Sequence, residues 1–356
     1  MQISVIHPSE LGPDEIIAWH SMQRETESLA NPFLCPEFSI AVGSFRPDVR
    51  IAVLADGPAI IGFFPFERRR LGIGVPIAAG LTDCQGLIHS VGAEWNSREL
   101  LRACNMSVWQ FDHLVEGQGP FENYAVAVTP SPVIDLTDGF AAYQEKLRVK
   151  SSKFCRQIAS KTRILERDTG AVRFVVDSRD SAGLRTLMAW KSDQYCRTGL
   201  VNIFDRSWIV DLVDYVFSSH NDRFGGALSL LYAGETLVSA QFDIRFDHVL
   251  AGWFASYDTR FSGQSPGLIH HLRKAEETVA IGVHLIDLGK GTEPYKERLK
   301  NHELFVAEGM ATRGSLLSAA HRVRSGVVRW AGPRIRRHPH LFRAADLLLR
   351  HYGRIS

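Results

Sequence analysis

Apolar positions along this chain follow two periods, and the change from one to the other marks out the elements. A strand pattern at 3–7 precedes a helical pattern from about 13 to 29. Asn31-Pro32-Phe33-Leu34-Cys35-Pro36 reads as a turn into another short helix. Two apolar runs, 49–54 and 59–66, are split by Ala55-Asp56-Gly57-Pro58, a hairpin signal whose turn type the proline leaves open. A Gly-rich stretch at 71–80 follows, then a helix from about Ser97 and strand patterns near 110–115 and 124–128.

Thr129-Pro130-Ser131-Pro132 reads as a linker, which places a domain joint near 130–138. Beyond it the pattern predicts a long helix over 140–168, ended by Gly170 as a left-handed cap. A strand at 172–176 and helices near 181–197 and 207–220 come next. Runs at 227–232, 237–244 and 248–256, with short connections, predict an antiparallel three-strand meander. The loop Arg260-Phe261-Ser262-Gly263-Gln264-Ser265-Pro266-Gly267 then leads into a helix to about Ile281 and a strand at 284–288.

The length of 356 residues suits two domains, and 45% hydrophobic with 22% charged residues suits a globular chain. No apolar run reaches the roughly 18–20 residues of a membrane-spanning helix. The N-terminus lacks a basic segment followed by an apolar one, so no secretory signal is expected. Five scattered cysteines without a C-x-x-C pair argue against a disulfide framework and a zinc ribbon, and favour a reduced cytoplasmic setting. The formal charge of +2 is uneven: residues 313–356 carry +9 and residues 1–312 carry −7. An acidic body of this kind is not expected to bind nucleic acid through its backbone.

Chemistry concentrates in the loop at 260–267. Ser265 fits a helix N-cap and Pro266 the first helical position. Gly263 and Gly267 leave backbone uncovered, the helix dipole adds positive potential, and Arg260 adds a full charge. Together they describe a phosphate or pyrophosphate site; the plainer reading is a capped helix in a surface loop. Lys146, Lys150, Lys153, Arg156, Lys161, Arg163 and Arg167 lie on the preceding long helix, as a solvated face or as an anion-binding rim.

On these residues the chain resembles the GNAT acyltransferases, which hold the pyrophosphate of acyl-coenzyme A on an Arg/Gln-x-x-Gly-x-Gly/Ala loop between the fourth strand and the next helix. Arg260-x-x-Gly263-x-Ser265 meets all but the last position. Serine there, followed by Pro266-Gly267, is similar to the CelD-like branch associated with cellulose and exopolysaccharide biosynthesis. In that branch the last strand runs into Asp-x-Gly-x-Gly-x-x-x-Tyr-Lys, and this chain has Asp287-Leu288-Gly289-Lys290-Gly291-Thr292-Glu293-Pro294-Tyr295-Lys296. The likeness is strongest over 140–300, and the turn at 31–38 is similar to the family's N-terminal half.

The resemblance implies an α/β (α+β) fold with mixed sheets: an N-terminal GNAT-like lobe at 1–130, a GNAT acyltransferase lobe at 139–312, and a basic tail at 313–356, with tandem lobes as in the FemAB transferases. It implies acetyl-CoA or another acyl-CoA as co-substrate, bound by Arg260, Gly263, Gln264, Ser265 and Gly267, with no metal. It implies a reaction cleft lined by Asp287, Tyr295 and Lys296. Asp287 lies between Ile286 and Leu288 and needs a partner, either Lys296 or a backbone nest. A saccharide or sugar precursor is the implied acceptor. A non-catalytic scaffold in a polysaccharide-synthesis complex and a FemAB-like aminoacyl transferase are the alternatives.

Other signals carry less. Gly72-x-Gly74-x-x-Ile77 lacks the third glycine of a dinucleotide loop, and Gly289-Lys290-Gly291-Thr292 lacks the first glycine of a P-loop. His270 and His271 are adjacent on a helix, so their side chains diverge by about 100° and do not form an i, i+4 metal pair. In the tail, Leu316, Ala320, Val323, Val327 and Trp330 share one helical face flanked by arginines. That face either packs on the body or gives residues 313–350 a peripheral contact with the inner face of an anionic membrane.

Overall fold

The computed structural model describes residues 1–314, with residue 222 excepted. The first half runs β1 (Gln2–Ile6), α1 (Pro13–Glu25), α2 (Pro36–Phe45), β2 (Val49–Asp56), β3 (Ala59–Arg68), β4 (Ile73–Val75), β5 (Ile88–His89), α3 (Ser97–Ala103), β6 (Val108–Val115), α4 (Gly119–Glu122) and β7 (Ala125–Asp135). The second runs α5 (Phe140–Thr169), β8 (Val172–Ser178), α6 (Ser181–Thr198), α7 (Ser207–Ser218), β9 (Phe224–Ala233), β10 (Thr236–Phe246), β11 (Val249–Tyr257), α8 (Pro266–Thr278), β12 (Leu285–Asp287), α9 (Pro294–Leu299) and β13 (His302–Thr312).

The local signals behave as their chemistry requires. Gly57 takes φ 57° and closes the antiparallel β2–β3 hairpin. The expected meander is β9–β10–β11. The long helix α5 is interrupted at Ser151 (φ −161°), whose Oγ accepts from the Phe154 N–H at 3.2 Å and restarts the helix as an internal cap. The helix expected over 13–29 stops at Glu25, and short 3₁₀ turns at 27–29 and 32–34 carry the chain to α2.

All the strands lie in one mixed sheet of order β1-β2-β3-β4-β6-β13-β7-β12-β11-β10-β9-β8, with β5 on β3. The linker expected at 129–132 is corrected by this topology: those residues are the middle of β7. β12 pairs with β7 only at Val133–Asp135, through Leu285–Asp287. The carbonyls of Pro130 and Pro132 face the loop that follows β12, accepting from Gly291 N–H and Leu288 N–H at 3.0 Å each. The missing proline N–H groups therefore point where the partner strand has already ended, which a sheet tolerates. β13, from the end of the described chain, returns between β6 and β7, so the sheet is continuous across the expected joint.

One apolar core is common to both halves. Trp19 of α1 and Phe38 and Val42 of α2 share this core with Leu184 of α6, Leu212 and Val216 of α7, and Phe63 and Phe242 of the sheet. A second core packs α5 and α8 on the second half, and a third packs α3 on the first. Among the described residues no helix is long and apolar enough to cross a membrane. The tail, with its apolar face and its proposed membrane contact, lies outside the described residues from 315 onward.

Because β13 is central, its close contacts should be sensitive. A Cβ added at Gly309 would overlap the Tyr124 carbonyl and the Phe111 ring. Gly309→Val is expected to destabilise the fold by about 2–3 kcal/mol, read as a lower urea midpoint at unchanged m-value. An unchanged midpoint would remove β13 from the core of the sheet.

Candidate active site

β11 and β12 run parallel for only three residue pairs, Val249–Ala251 with Leu285–Asp287. β12 then ends while β11 continues to Tyr257, so the sheet opens into a split. Just beyond the last pair, β11 carries a bulge: Asp243 opposes Gly252 and Phe242 opposes Phe254, leaving Trp253 as the extra residue. The bulge is held from the first half of the chain. Trp253 Nε1–H donates to the Leu81 carbonyl at 3.0 Å, and its ring meets Phe33 and Phe38 edge-on.

A groove of about 600 Å³ lies along the open side of β11. Its outer end is bounded by Ser262, Ser265 and Gly267, its wall by Lys191 and Arg197 of α6, and its inner end by His271 and Tyr295. It leads past Gln241 and Ala255 into a chamber of about 170 Å³ bounded by Asp83, Asp243, Lys274 and Asp287.

Residues 259–264 form a 3₁₀ turn before α8. Ser265 occupies the N-cap position in left-handed conformation (φ 53°, ψ 56°), the backbone geometry in which glycine is strain-free. The serine that departs from the glycine-type pattern thus keeps the conformation. Contrary to the expected N-cap bond, its side chain does not cap the helix; its Oγ accepts from Lys161 Nζ at 2.6 Å. Pro266 has no N–H, and the N–H groups of Leu268 and Ile269 bond the Ser265 carbonyl. The Gly267 N–H takes no backbone partner among the described residues. Of the five residues expected at a cofactor, Ser265 and Gly267 line the groove, whereas Arg260, Gly263 and Gln264 do not. Arg260 is held by Asp258, Nε donating to its two carboxylate oxygens at 3.1 and 2.9 Å, and this bonding holds the Asp258 carboxyl below its ordinary pKa.

Asp287 is buried and its carboxylate is fully engaged. Oδ1 accepts from the Gly289 N–H at 2.8 Å and the Ser131 hydroxyl at 3.1 Å; Oδ2 accepts from Asn31 Nδ2 at 2.9 Å. Burial pushes its pKa up, against the pull of Gly289, Ser131, Lys296 and Asn31. Gly289 is held at φ 76°, and a Cβ there would come within 2.7 Å of Asp83 Oδ2, so the turn needs glycine twice over. Lys296 makes no direct bond to Asp287. Its Nζ donates to the carbonyls of Gly289 (3.0 Å) and Lys290 (2.8 Å) and pairs with Glu293 at 3.3 Å. The Asp-x-Gly-x-Gly-x-x-x-Tyr-Lys run is therefore a turn fastened at both ends. Asp287 and Tyr295 face the chamber, and Lys296 lies behind it.

Tyr295 is 37% exposed and stacks on His271 with ring centroids 5.6 Å apart. Burial, with Glu293 and Asp83 nearby, pushes its hydroxyl up to about 12, so the phenol keeps its proton at neutral pH. Sequence spacing alone did not bring His271 here, since its helix register gives it no partner. The two adjacent histidines part company: His270 Nε2 bonds Ser229 Oγ at 2.8 Å inside the core, while His271 lines both cavities. Burial and Lys274 hold both well below the ordinary histidine pKa, and each keeps an unpartnered Nδ1 among the described residues. Asp83, Asp243 and Lys274 were also invisible in sequence. Lys274 Nζ donates to Asp243 Oδ1 at 2.8 Å with both side chains buried, and Asp243 Oδ2 has no partner among the described residues.

Residues 152–297, which contain the bulge, the loop, the groove and the fastened turn, match the family model described as an acetyltransferase (GNAT) domain. Over those residues the chain is similar to GNAT acetyltransferase domains. No curated protein matches the chain. Among solved structures, a conserved protein of unknown function from Bacteroides thetaiotaomicron superposes with a TM-score of 0.51 at 11% identity, covering 86% of this chain and all (100%) of that one. A tandem GNAT protein from the clavulanic acid biosynthesis pathway gives a TM-score of 0.47 at 11% identity, covering 88% and 99%. FemX gives 0.49 at 9% identity, covering 74% and 87%. At such identities the first likeness concerns the fold alone.

The buried histidines make a pH prediction with a definite sign. Their folded pKa values are depressed, so their contribution to stability is present above the unfolded value near 6.5 and is lost as pH falls below it. Each adds up to about 1.4 kcal/mol per pH unit to that slope. Asp243 and Asp287, with raised values, act in the opposite direction above the ordinary carboxylate value, equally in both proteins compared. Urea unfolding between pH 7.5 and 5.5 should therefore show a steeper loss for wild type than for His270→Gln. Equal slopes would mean that His270 takes up its proton alike in the folded and unfolded states.

Proposed function

We propose that this chain transfers an acyl group from acyl-CoA, acetyl-CoA being the simplest donor, to a nucleophile held in the inner chamber. The observation that carries this reading is the continuity of the groove, from the open N-terminus of α8 to the protonated Tyr295 beside the chamber. The donor's pyrophosphate lies at Ser265 and Gly267, where the Gly267 N–H and the helix dipole favour an anion. The acyl arm follows the open edge of β11, with its thioester carbonyl at the bulge, where backbone outside the ladder is available to a developing oxyanion. The nucleophile attacks the carbonyl carbon, the C–S bond breaks, the departing sulfur takes the Tyr295 proton, and the proton that the acylated nucleophile gives up returns to the Tyr295 oxygen through solvent. Asp287 and Lys296 act as positioning residues, fixing the turn that presents Tyr295.

A saccharide amine or hydroxyl is the acceptor class supplied by the likeness to the CelD-like enzymes. The left-handed loop retained at Ser265 favours a working transferase over a scaffold. Acetyl-CoA is expected to raise the melting temperature of the wild-type protein, because a ligand that binds only the folded state stabilises it. Gly267→Leu fills the groove beside Tyr257 and should abolish that rise without lowering the melting temperature of the free protein. Tyr295→Phe should leave CoA affinity unchanged and lower turnover by about a hundredfold, measured as thiol release with glucosamine as acceptor. Wild-type turnover in Tyr295→Phe would remove the hydroxyl from the mechanism, and an undiminished acetyl-CoA shift in Gly267→Leu would move the donor elsewhere.

A further inference from the structure

The chamber at the end of the groove holds an ion pair that the mechanism above leaves unused. Lys274 Nζ donates to Asp243 Oδ1 at 2.8 Å, with the two side chains 1% and 2% exposed. Asp243 Oδ2 is buried and has no partner among the described residues. A buried ion pair is often no more stable than apolar residues of the same volume, and a buried oxygen left unbonded adds a cost of its own. Stability therefore does not account for this arrangement. His271 Nδ1, on the wall of the same chamber, is a second buried polar atom without a partner among the described residues.

The surroundings of Asp243 indicate what the missing partner is. Across the ladder it opposes Gly252, whose lack of a side chain leaves the carboxylate uncovered: a Cβ there would lie 3.6 Å from Oδ1. Gly252 and Trp253 at the bulge bound the same chamber as Asp243 and Tyr295. The wall carries three carboxyl groups, Asp83, Asp243 and Asp287, against two amino groups, Lys191 and Lys274. Lys296, behind it, is paired with Glu293. An excess of acceptors over donors suits a ligand that brings several N–H groups and a positive charge. Burial pushes the Asp243 carboxyl above its ordinary pKa, against the pull of Lys274, and so brings it nearer to the basicity of an amine.

We propose that the acceptor is a primary amine and that Asp243 is the catalytic residue that receives it in the chamber and takes its proton. The inference rests on the acyl-CoA reading above and narrows its acceptor to nitrogen. The amine enters as an ammonium and gives one proton to Asp243 Oδ2, which frees the nitrogen lone pair. The N–C bond forms, the C–S bond breaks, and the sulfur takes the Tyr295 proton. The acylated nitrogen gives up its second proton, which returns to the Tyr295 oxygen through solvent. The proton on Asp243 leaves to water, so each transfer releases one proton. Lys274 holds the carboxylate in place and, as a second cation beside the ammonium, favours loss of the ammonium's proton.

The test measures melting temperature, its rise with acetyl-CoA, and thiol release for the full chain as wild type, Asp243→Asn/Lys274→Met and Gly252→Ala. The acceptors are glucosamine and ethanolamine, with glucose and ethylene glycol as their hydroxyl counterparts. Wild type should acylate both amines and leave both alcohols at the rate seen without acceptor. The double variant strands no buried ammonium, so it should keep the melting temperature and its rise while amine turnover falls about a hundred- to ten-thousandfold. Gly252→Ala keeps both charges and sets a methyl at ordinary contact distance from Asp243 Oδ1 and the Asp287 carbonyl. It should melt and bind acetyl-CoA as wild type does, with amine turnover about a hundredfold lower. Wild-type turnover in the double variant would show a merely structural pair and overturn the proposal. Should the double variant not fold, Gly252→Ala decides, and wild-type turnover there overturns it. Alcohols acylated as fast as amines would overturn it as well. So would a wild type that binds acetyl-CoA and acylates none of these acceptors, and either result leaves the donor reading intact. If acetyl-CoA does not raise the wild-type melting temperature, the acyl-CoA reading itself is overturned, and this proposal with it.

Discussion

A carboxylate removed from water must be bonded on every side or give up its charge. Asp287 meets that demand with donors from two distant stretches, Asn31 near the start of the chain and Ser131 on β7, and with the Gly289 N–H just beyond its own strand. Each of these bonds fixes something the groove requires. Asn31 holds the turn whose Phe33 and Phe38 press on Trp253 at the bulge. Ser131 holds β7 against the end of β12. Gly289 begins the turn that Lys296 closes and that carries Tyr295. Losing one donor would leave a buried acceptor short at a cost of about 1–3 kcal/mol, and would loosen the split at the same time.

The first half of the chain is therefore part of the site although it contributes few groups to the cavities. Asp83 reaches the chamber, Leu81 anchors the Trp253 indole, and the shared core joins α1 and α2 to α6 and α7. β13 completes the arrangement by returning between β6 and β7. A split between two strands stays open only if both sides are braced, and this topology braces β12 through β7 and β11 through the bulge.

Much of this was legible in the residues. The hairpin at Asp56-Gly57, the meander and the helix following Ser265-Pro266 all follow from local chemistry, because each depends on residues close in sequence; the run at 287–296 was legible through the family resemblance alone. What failed did so for a physical reason. Prolines at 130 and 132 read as a linker, since nothing local reveals that the neighbouring strand ends before it needs their N–H groups. Arg260 looked like the free cation because its pairing with Asp258 depends on rotamers, not on composition. His271 and the Asp243–Lys274 pair were hidden because their significance comes from other elements of the chain.

The central claim is geometric: one groove carries an acyl donor from the N-terminus of α8 to the chamber beside Tyr295. A crystal structure of the protein soaked with acetyl-CoA tests it most directly. Pyrophosphate density against Ser265 and Gly267, with the thioester between Trp253 and Tyr295, is the predicted result. Ordered acetyl-CoA bound anywhere else on the molecule, with this groove filled only by solvent, would contradict it.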